Sequence, residues 1–324
     1  MLNNSQNILL LGGAGFLGTN ISLKLLEEGH SITILDRSMS NALVFESWKE
    51  KAKLIKVDLL NFEEVRNVIR NNHFDTVIHL ITNVIPGSSF SEFLLDSDVS
   101  IKMSFRLIEE IHAAGIKNFL YFSSGGTVYG NNGKEINHED APKYPISLYG
   151  WYKLAMEQYI QTYAYTHSLN YAILRPSNPY GRFQNLYGQQ GFVAVAIGRI
   201  LLNKQIDVWG DGNIIRDYIY VEDLAQIVSG LISGGFKNAI FNIGTGQGHS
   251  INLILKILTD ITGKEINVVY TESRTVDVQT NILDIEAINN FLPKRFLPKT
   301  SIEIGIGQMW EWCIQNQKLV NRNL

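Results

Sequence analysis

Tyr149 and Lys153 stand four residues apart in a stretch of helical periodicity, so their side chains share one helix face. A lysine ammonium near a phenol favours the phenolate and brings its pKa toward working pH, which makes Tyr149 a candidate general base for an alcohol. Upstream of the pair, Ser123-Ser124-Gly125-Gly126-Thr127-Val128-Tyr129-Gly130 follows an apolar run. A third group stands near the start, where Gly12-Gly13-Ala14-Gly15-Phe16-Leu17-Gly18 lies between the first apolar run and a helical pattern. Glycines there let the backbone turn tightly and approach a pyrophosphate, while the helix N-terminus, Phe16 and Leu17 with it, faces the phosphates. The second apolar run ends at Asp36, where an acid hydrogen-bonds the adenosine ribose 2′-hydroxyl of NAD. Arg37 beside it is the residue type that accepts the 2′-phosphate of NADP, so both dinucleotides stay open on these residues. Asp58-Leu59 ends the third run and is placed to edge the adenine, and Lys153 to bind the nicotinamide ribose.

These groups need a scaffold that gathers them. From residue 7 to 175, short runs rich in Ile, Leu and Val alternate with longer helical periodicities, the pattern of a parallel sheet covered by helices on both faces. It predicts strands over 8–11, 31–35, 54–57, 76–80, 119–122 and 171–174, and helices over 16–28, 63–71, 100–114 and 148–167. After Arg175 a loop rich in glycine and glutamine opens. A helix over 192–202, short strands and amphipathic stretches near 251–259 and 285–291 follow. The fold class expected is α/β: a doubly wound parallel sheet of Rossmann type with a smaller mixed α/β domain C-terminal to it.

Composition sets the outer bounds. With 324 residues, 45% apolar and 18% charged, the chain reads as ordinary globular protein. A formal net charge of −3 without basic blocks argues against nucleic-acid and anionic-membrane partners. Cys313 is the only cysteine, which excludes an intrachain disulfide and a cysteine-based zinc site, and no metal is expected. No run of 18 apolar residues and no signal-peptide pattern is present, so the expected location is cytoplasmic.

Taken together, the glycine motif, Asp36, the serine-rich turn and the Tyr149/Lys153 pair resemble the extended short-chain dehydrogenase/reductase family, and within it the NAD-dependent nucleotide-sugar epimerases and dehydratases. Further stretches resemble family signatures in the expected order: 174–181 with Arg175-Pro176-Ser177-Asn178, 209–212 with Trp209-Gly210-Asp211-Gly212, 216–224 with Arg216-Asp217-Tyr218, and 241–246 with Asn242-Ile243-Gly244. The resemblance covers nearly the whole chain.

It implies NAD as cofactor, with residues 1–175 and returning segments near 214–245 binding it, and a UDP-sugar substrate held by residues 176–324. Asn178, Arg216 and Arg274 would meet the diphosphate, where arginine offers a bidentate fork. Asp277 would serve the nucleotide ribose, and Trp209 lies where uracil is approached. Asn281 would stand at the gate for the C2 substituent, where its small size admits an N-acetyl group. Dehydratases of the family carry an Asp-Glu pair where this chain has Gly126 and Thr127, so the resemblance favours a 4-epimerase. A 4-ketoreductase with exchangeable NAD(P)H is the alternative, and a nucleotide-sensing protein without catalysis a third reading.

Two positions depart from the family pattern. Its usual catalytic hydroxyl falls at Gly125, so Ser124 or Thr127 must substitute. The fourth strand ends His79-Leu80-Ile81, where the family has small alanines near the cofactor, which brings Leu80 to the dinucleotide. The family also dimerises through a four-helix bundle, here helices 100–114 and 148–167 of each subunit, which implies a homodimer. Precursor supply for cell-surface polysaccharide is the family-level expectation.

Overall fold

β1 (Asn7–Leu11) reads Asn-Ile-Leu-Leu-Leu, and its four apolar residues have no accessible surface, as a strand covered on both faces requires. The computed structural model of the chain describes residues 5–39, 41–58, 60–81, 90–273 and 278–320, with the backbone alone for 90–100. After β1 come α1 (Phe16–Glu27), β2 (Ser31–Asp36), a 3-10 helix (Ala42–Trp48), β3 (Ala52–Lys56), α2 (Phe62–Arg70), β4 (Thr76–His79), α3 (Phe90–Ala113) and β5 (Asn118–Phe122). The short β6 (Ile136–Asn137), α4 (Leu148–His167), β7 (Asn170–Pro176), β8 (Asn178–Tyr180), α5 (Phe192–Leu201), β9 (Ile206–Trp209), β10 (Ile215–Tyr220) and α6 (Val221–Gly234) follow. The chain continues through β11 (Ala239–Ile243), β12 (Gly248–Ser250), α7 (Ile251–Thr262), β13 (Val268–Thr271), β14 (Thr280–Leu283), α8 (Glu286–Phe291), α9 (Ile302–Gln315) and α10 (Gln317–Val320).

Seven strands form one sheet in the order β11-β7-β5-β4-β1-β2-β3, with every neighbouring pair parallel. One face is covered by Ile21 and Leu25 of α1, Leu224 and Val228 of α6 and Ile288 of α8. The other carries Val65 of α2, Ile108 of α3 and Met156 and Ile160 of α4. The winding direction reverses between β1 and β4, where Leu11 pairs His79, and a crevice opens beyond the carboxyl ends of strands at such a point. A smaller mixed sheet runs β12-β10-β14-β6, with β8 also on β10, and a two-stranded sheet joins β13 to β9. A separate core, with Ile197 of α5, Ile254 of α7 and Met309 of α9, lies beneath them.

The expected α/β architecture is present, and the differences are local. The helix expected from residue 100 begins at Phe90: Asp96, Ser97, Asp98 and Ser100 are poor helix formers, yet the helix runs through them. The third strand lies at Ala52–Lys56 rather than 54–57. α6 and α9 were not anticipated. α6 packs beside α1 and contains Gly230 and Gly234, and α9 contains Gly305 and Gly307, glycines that weaken helical patterning. Gly305 is required there: a Cβ would stand 2.1 Å from the Tyr180 hydroxyl oxygen. Among the described residues no helix is long and apolar enough to cross a membrane, and no cluster of His, Cys, Asp and Glu is arranged to hold a metal.

Candidate active site

The turn after β1 is shaped for close approach. Gly12 adopts φ +83°, and a Cβ on it would stand 3.0 Å from Cγ1 of Ile81. Gly18 packs under the turn so closely that a Cβ would lie 2.5 Å from the Gly13 Cα. Gly15 caps α1 without a side-chain acceptor, which leaves the first-turn N–H groups, those of Phe16 and Leu17 included, to a ligand phosphate. The Asp36 carboxylate accepts hydrogen bonds from the N–H groups of Ala14 (3.0 Å) and Ser38 (2.9 Å), fixing it at the mouth of this turn. Gly12, Asp36, Arg37, Asp58 and Leu80 line one cavity of about 230 Å³, whose deep end reaches His79, Ser104 and Tyr152. Glycine backbone, a helix N-terminus and an oriented carboxylate together fit the adenosine and pyrophosphate of NAD. Leu59 lies outside the described residues.

Farther along the sheet edge, Ser147 caps α4 by accepting from the Gly150 N–H (3.1 Å), which starts the helix one residue before Tyr149. Lys153, only 2% exposed, donates from Nζ to the Phe122 carbonyl at the end of β5 (2.8 Å). The same ammonium stands 5.0 Å from the ring centroid of Tyr121 and 5.6 Å from that of Tyr149. Burial pulls the Lys153 pKa down to about 7, with the Glu157 charge acting the other way. Burial pushes the Tyr149 phenol up to about 12, opposed by its hydrogen bond with Ser124. Each charge is disfavoured alone and favoured by the other, so phenolate and ammonium are better supported together than singly.

Of the two candidate hydroxyls, Ser124 is the one that reaches Tyr149. The absence of a hydroxyl at Gly125 has a steric cause: a Cβ there would meet Cδ1 of Leu283 at 2.6 Å and the Arg175 carbonyl oxygen at 2.8 Å. The hydroxyl oxygens of Thr127 and Ser177 are buried without a hydrogen-bond partner among the described residues, and a polyhydroxylated ligand would satisfy such groups.

On the other side of the turn, Asn281 is 5% exposed. Its amide donates to the Gly125 carbonyl (3.1 Å) and its oxygen accepts from Asn137 (3.2 Å), which ties β14 to the turn after β5. Arg216 on β10 is its register partner and donates to the Ile215 carbonyl (2.8 Å). The Asn178 amide donates to the Asp217 carbonyl (2.7 Å), holding β8 on β10. Trp209 is 49% exposed at the end of β9. Arg274 and Asp277 lie outside the described residues.

Sequence reasoning missed what stands behind Lys153. Glu157 has no accessible surface and is held by the Arg175 guanidinium through two hydrogen bonds, Nε to Oε1 (3.0 Å) and Nη2 to Oε2 (2.6 Å). The Ser123 hydroxyl donates to the same carboxylate. Arg175 also donates to the Tyr129 hydroxyl (3.0 Å) and the Glu139 carbonyl (2.8 Å), and Tyr129 donates to Asn242 (2.6 Å). The available signal was a glutamate four residues past Lys153 on the apolar stripe of Tyr152, Met156 and Ile160.

The NAD dependent epimerase/dehydratase family model matches residues 8–244. The chain is similar to the structure of a UDP-glucose 4-epimerase from Thermotoga maritima solved with UDP-glucose, at 32% identity and TM-score 0.88, covering 96% of this chain and 99% of that one. A UDP-glucose 4-epimerase from Thermus thermophilus, in complex with NAD, is similar at 27% identity and TM-score 0.86, with the same coverage. A UDP-N-acetylglucosamine 4-epimerase from Methanobrevibacter ruminantium, in complex with UDP-N-acetylmuramic acid, matches at 26% identity and TM-score 0.86, also over 96% and 99%.

Proposed function

Because the chain belongs to the NAD-dependent epimerase/dehydratase family, we propose that it interconverts the C4 epimers of a UDP-hexose, UDP-glucose with UDP-galactose and the N-acetyl forms as well, by transient oxidation at C4. The observation that carries this reading is the grouping of Tyr149, Ser124 and Lys153 beside the dinucleotide groove, with Gly126 and Thr127 where an acid–base pair for elimination would stand. The sugars bound in two of the similar structures support the substrate class.

Bound NAD supplies a hydride acceptor beside C4 and, once reduced, a hydride donor. Tyr149 takes the proton of the C4 hydroxyl as the carbonyl forms and returns it when the alcohol is restored. Ser124 steadies the phenolate through its hydrogen bond, and Lys153 through its charge; the same lysine would hold the nicotinamide ribose. Inversion requires the keto sugar to present its other face. The chain's task is therefore to hold the UDP moiety, through Asn178, Arg216, Arg274, Asp277 and Trp209, while leaving the hexose free to turn. Asn281, tied to Gly125, would bound the space beside C2. In this reading residues 1–175 with 214–245 serve the cofactor and 176–324 the nucleotide sugar. The outward faces of α3 and α4, where Phe105 stacks on Tyr159 at 3.7 Å, would pair two subunits.

Arg37 on the cavity wall favours a second reading, a 4-ketoreductase drawing on exchangeable NAD(P)H. Proton NMR of UDP-glucose and UDP-N-acetylglucosamine, each incubated with holoenzyme and no added reductant, separates the two. Growth of galacto-configured anomeric and C4 signals is expected. Spectra unchanged until NADH or NADPH and a keto sugar are supplied would replace the epimerase with the reductase.

A further inference from the structure

Two consecutive residues at the end of β5 grip two consecutive turns of α4. The Phe122 carbonyl accepts from Lys153, and the Ser123 hydroxyl donates to Glu157. On the neighbouring strand Leu174 is the register partner of Phe122, so Arg175 falls beside Ser123 and closes its fork on the same carboxylate. All four polar side chains, Ser123, Lys153, Glu157 and Arg175, are buried.

A buried carboxylate with full hydrogen bonding is costly to place, and as a stability device it does no better than apolar packing of equal volume. Its position suggests a second role. The groups that bear on Lys153 are Tyr149 and Glu157 on α4, Tyr121 and the Phe122 carbonyl on β5, and His79 on β4. Burial and the Lys153 charge hold His79 neutral, its pKa lowered to about 3, and burial keeps Tyr121 un-ionised. Glu157 is thus the one carboxylate among these groups, and Arg175 and Ser123 hold it in place.

We propose that Glu157 is a positioning residue for the catalytic pair: clamped by Ser123 and Arg175, it docks the turn that carries Lys153 onto the ends of β5 and β7 and supplies the counter-charge that keeps the buried lysine an ammonium. This rests on the reading of Tyr149 and Lys153 as the reacting pair. Burial works against the Lys153 charge and Glu157 restores it, so removal of Glu157 lowers the pH at which Lys153 loses its proton. The alkaline limb of the kcat profile then moves to lower pH, because phenolate support needs the ammonium.

The test is a carbon-13 NMR titration of holoenzyme labelled at lysine Cε, with the Lys153 signal assigned by its loss in Lys153→Met. Wild type and Glu157→Gln are compared, alongside their kcat–pH profiles. The expected result is a Lys153 titration midpoint lower by about one pH unit or more in Glu157→Gln, with the alkaline limb moved by the same amount. An unchanged midpoint in a folded Glu157→Gln protein, with only its melting temperature reduced, overturns the proposal and leaves a structural ion pair. If Glu157→Gln does not fold because Arg175 is stranded, the double variant Glu157→Gln/Arg175→Gln is compared with Arg175→Gln by the same titration, so that only the Glu157 charge differs. A lowered midpoint supports the proposal and an unmoved one overturns it. The titration needs no sugar, so failure of the UDP-hexose assignment would appear separately, as wild-type protein that converts no substrate.

Discussion

The two turns on which the proposed function rests, one after β1 and one after β5, both depend on glycine, but for opposite purposes. At Gly12 and Gly18 the missing side chain lets backbone come close, and what the turn offers a ligand is its N–H groups and the fixed carboxylate of Asp36. At Gly125 the missing side chain lets the turn pack inward on Arg175 and Leu283, and what it offers outward is side chains, Ser124 first. The first turn binds with backbone that costs nothing to ionise. The second works with buried groups whose proton affinities are displaced by their surroundings. Damage to the first should appear in cofactor affinity, and damage to the second in turnover and its pH dependence.

The largest effect expected is at the second turn. Tyr149→Phe should lower kcat by roughly 10²–10⁴-fold while leaving NAD binding near wild type by isothermal titration. At the first turn, Asp36→Ala removes the acceptor for the Ala14 N–H and the acceptor proposed for the ribose; NAD affinity should fall by about 10- to 100-fold, with kcat at saturating NAD changed far less. An equal loss in both quantities for either variant would break the contrast between the turns.

Gly125→Ser sharpens it further. Restoring the hydroxyl found elsewhere in the family should destabilise this chain by about 1–3 kcal/mol, read as a lower melting temperature, and bring no gain in kcat, since the new Cβ meets the Arg175 carbonyl and Leu283. The smallest effect belongs to Ser124→Ala. Its hydrogen bond lowers the Tyr149 pKa, so its removal raises that pKa, and the acid limb of the kcat profile should move to higher pH, with about tenfold lower activity near neutrality. A move to lower pH would deny Ser124 its place beside the phenolate.

The first turn was almost wholly legible in the sequence because its signals are local: glycines between a four-residue apolar run and a helix, and an acid at the end of the next strand. Tyr149 and Lys153 were legible for the same reason, since a four-residue spacing fixes their shared helix face. Ser124 against Thr127 stayed undecided, because the choice depends on how Gly125 packs against Arg175 and Leu283, residues 50 and 158 positions away that only the sheet order brings near. The Glu157–Arg175 pair was hidden likewise: the partners lie on α4 and β7, and each read alone is a charged residue with no evident purpose. Gly230 and Gly234 weakened the helical signal of α6, just as the run from Asp96 to Ser100 masked the start of α3.

The central claim is that C4 is oxidised and reduced in place, with Tyr149 handling only the hydroxyl proton. UDP-glucose deuterated at C4, incubated with holoenzyme in ordinary water and followed by deuterium and proton NMR, tests it most directly. The account predicts UDP-galactose that keeps its deuterium at C4, without a proton from solvent at that carbon. Product bearing solvent protium at C4 would contradict it, because inversion would then have passed through removal of a carbon-bound proton.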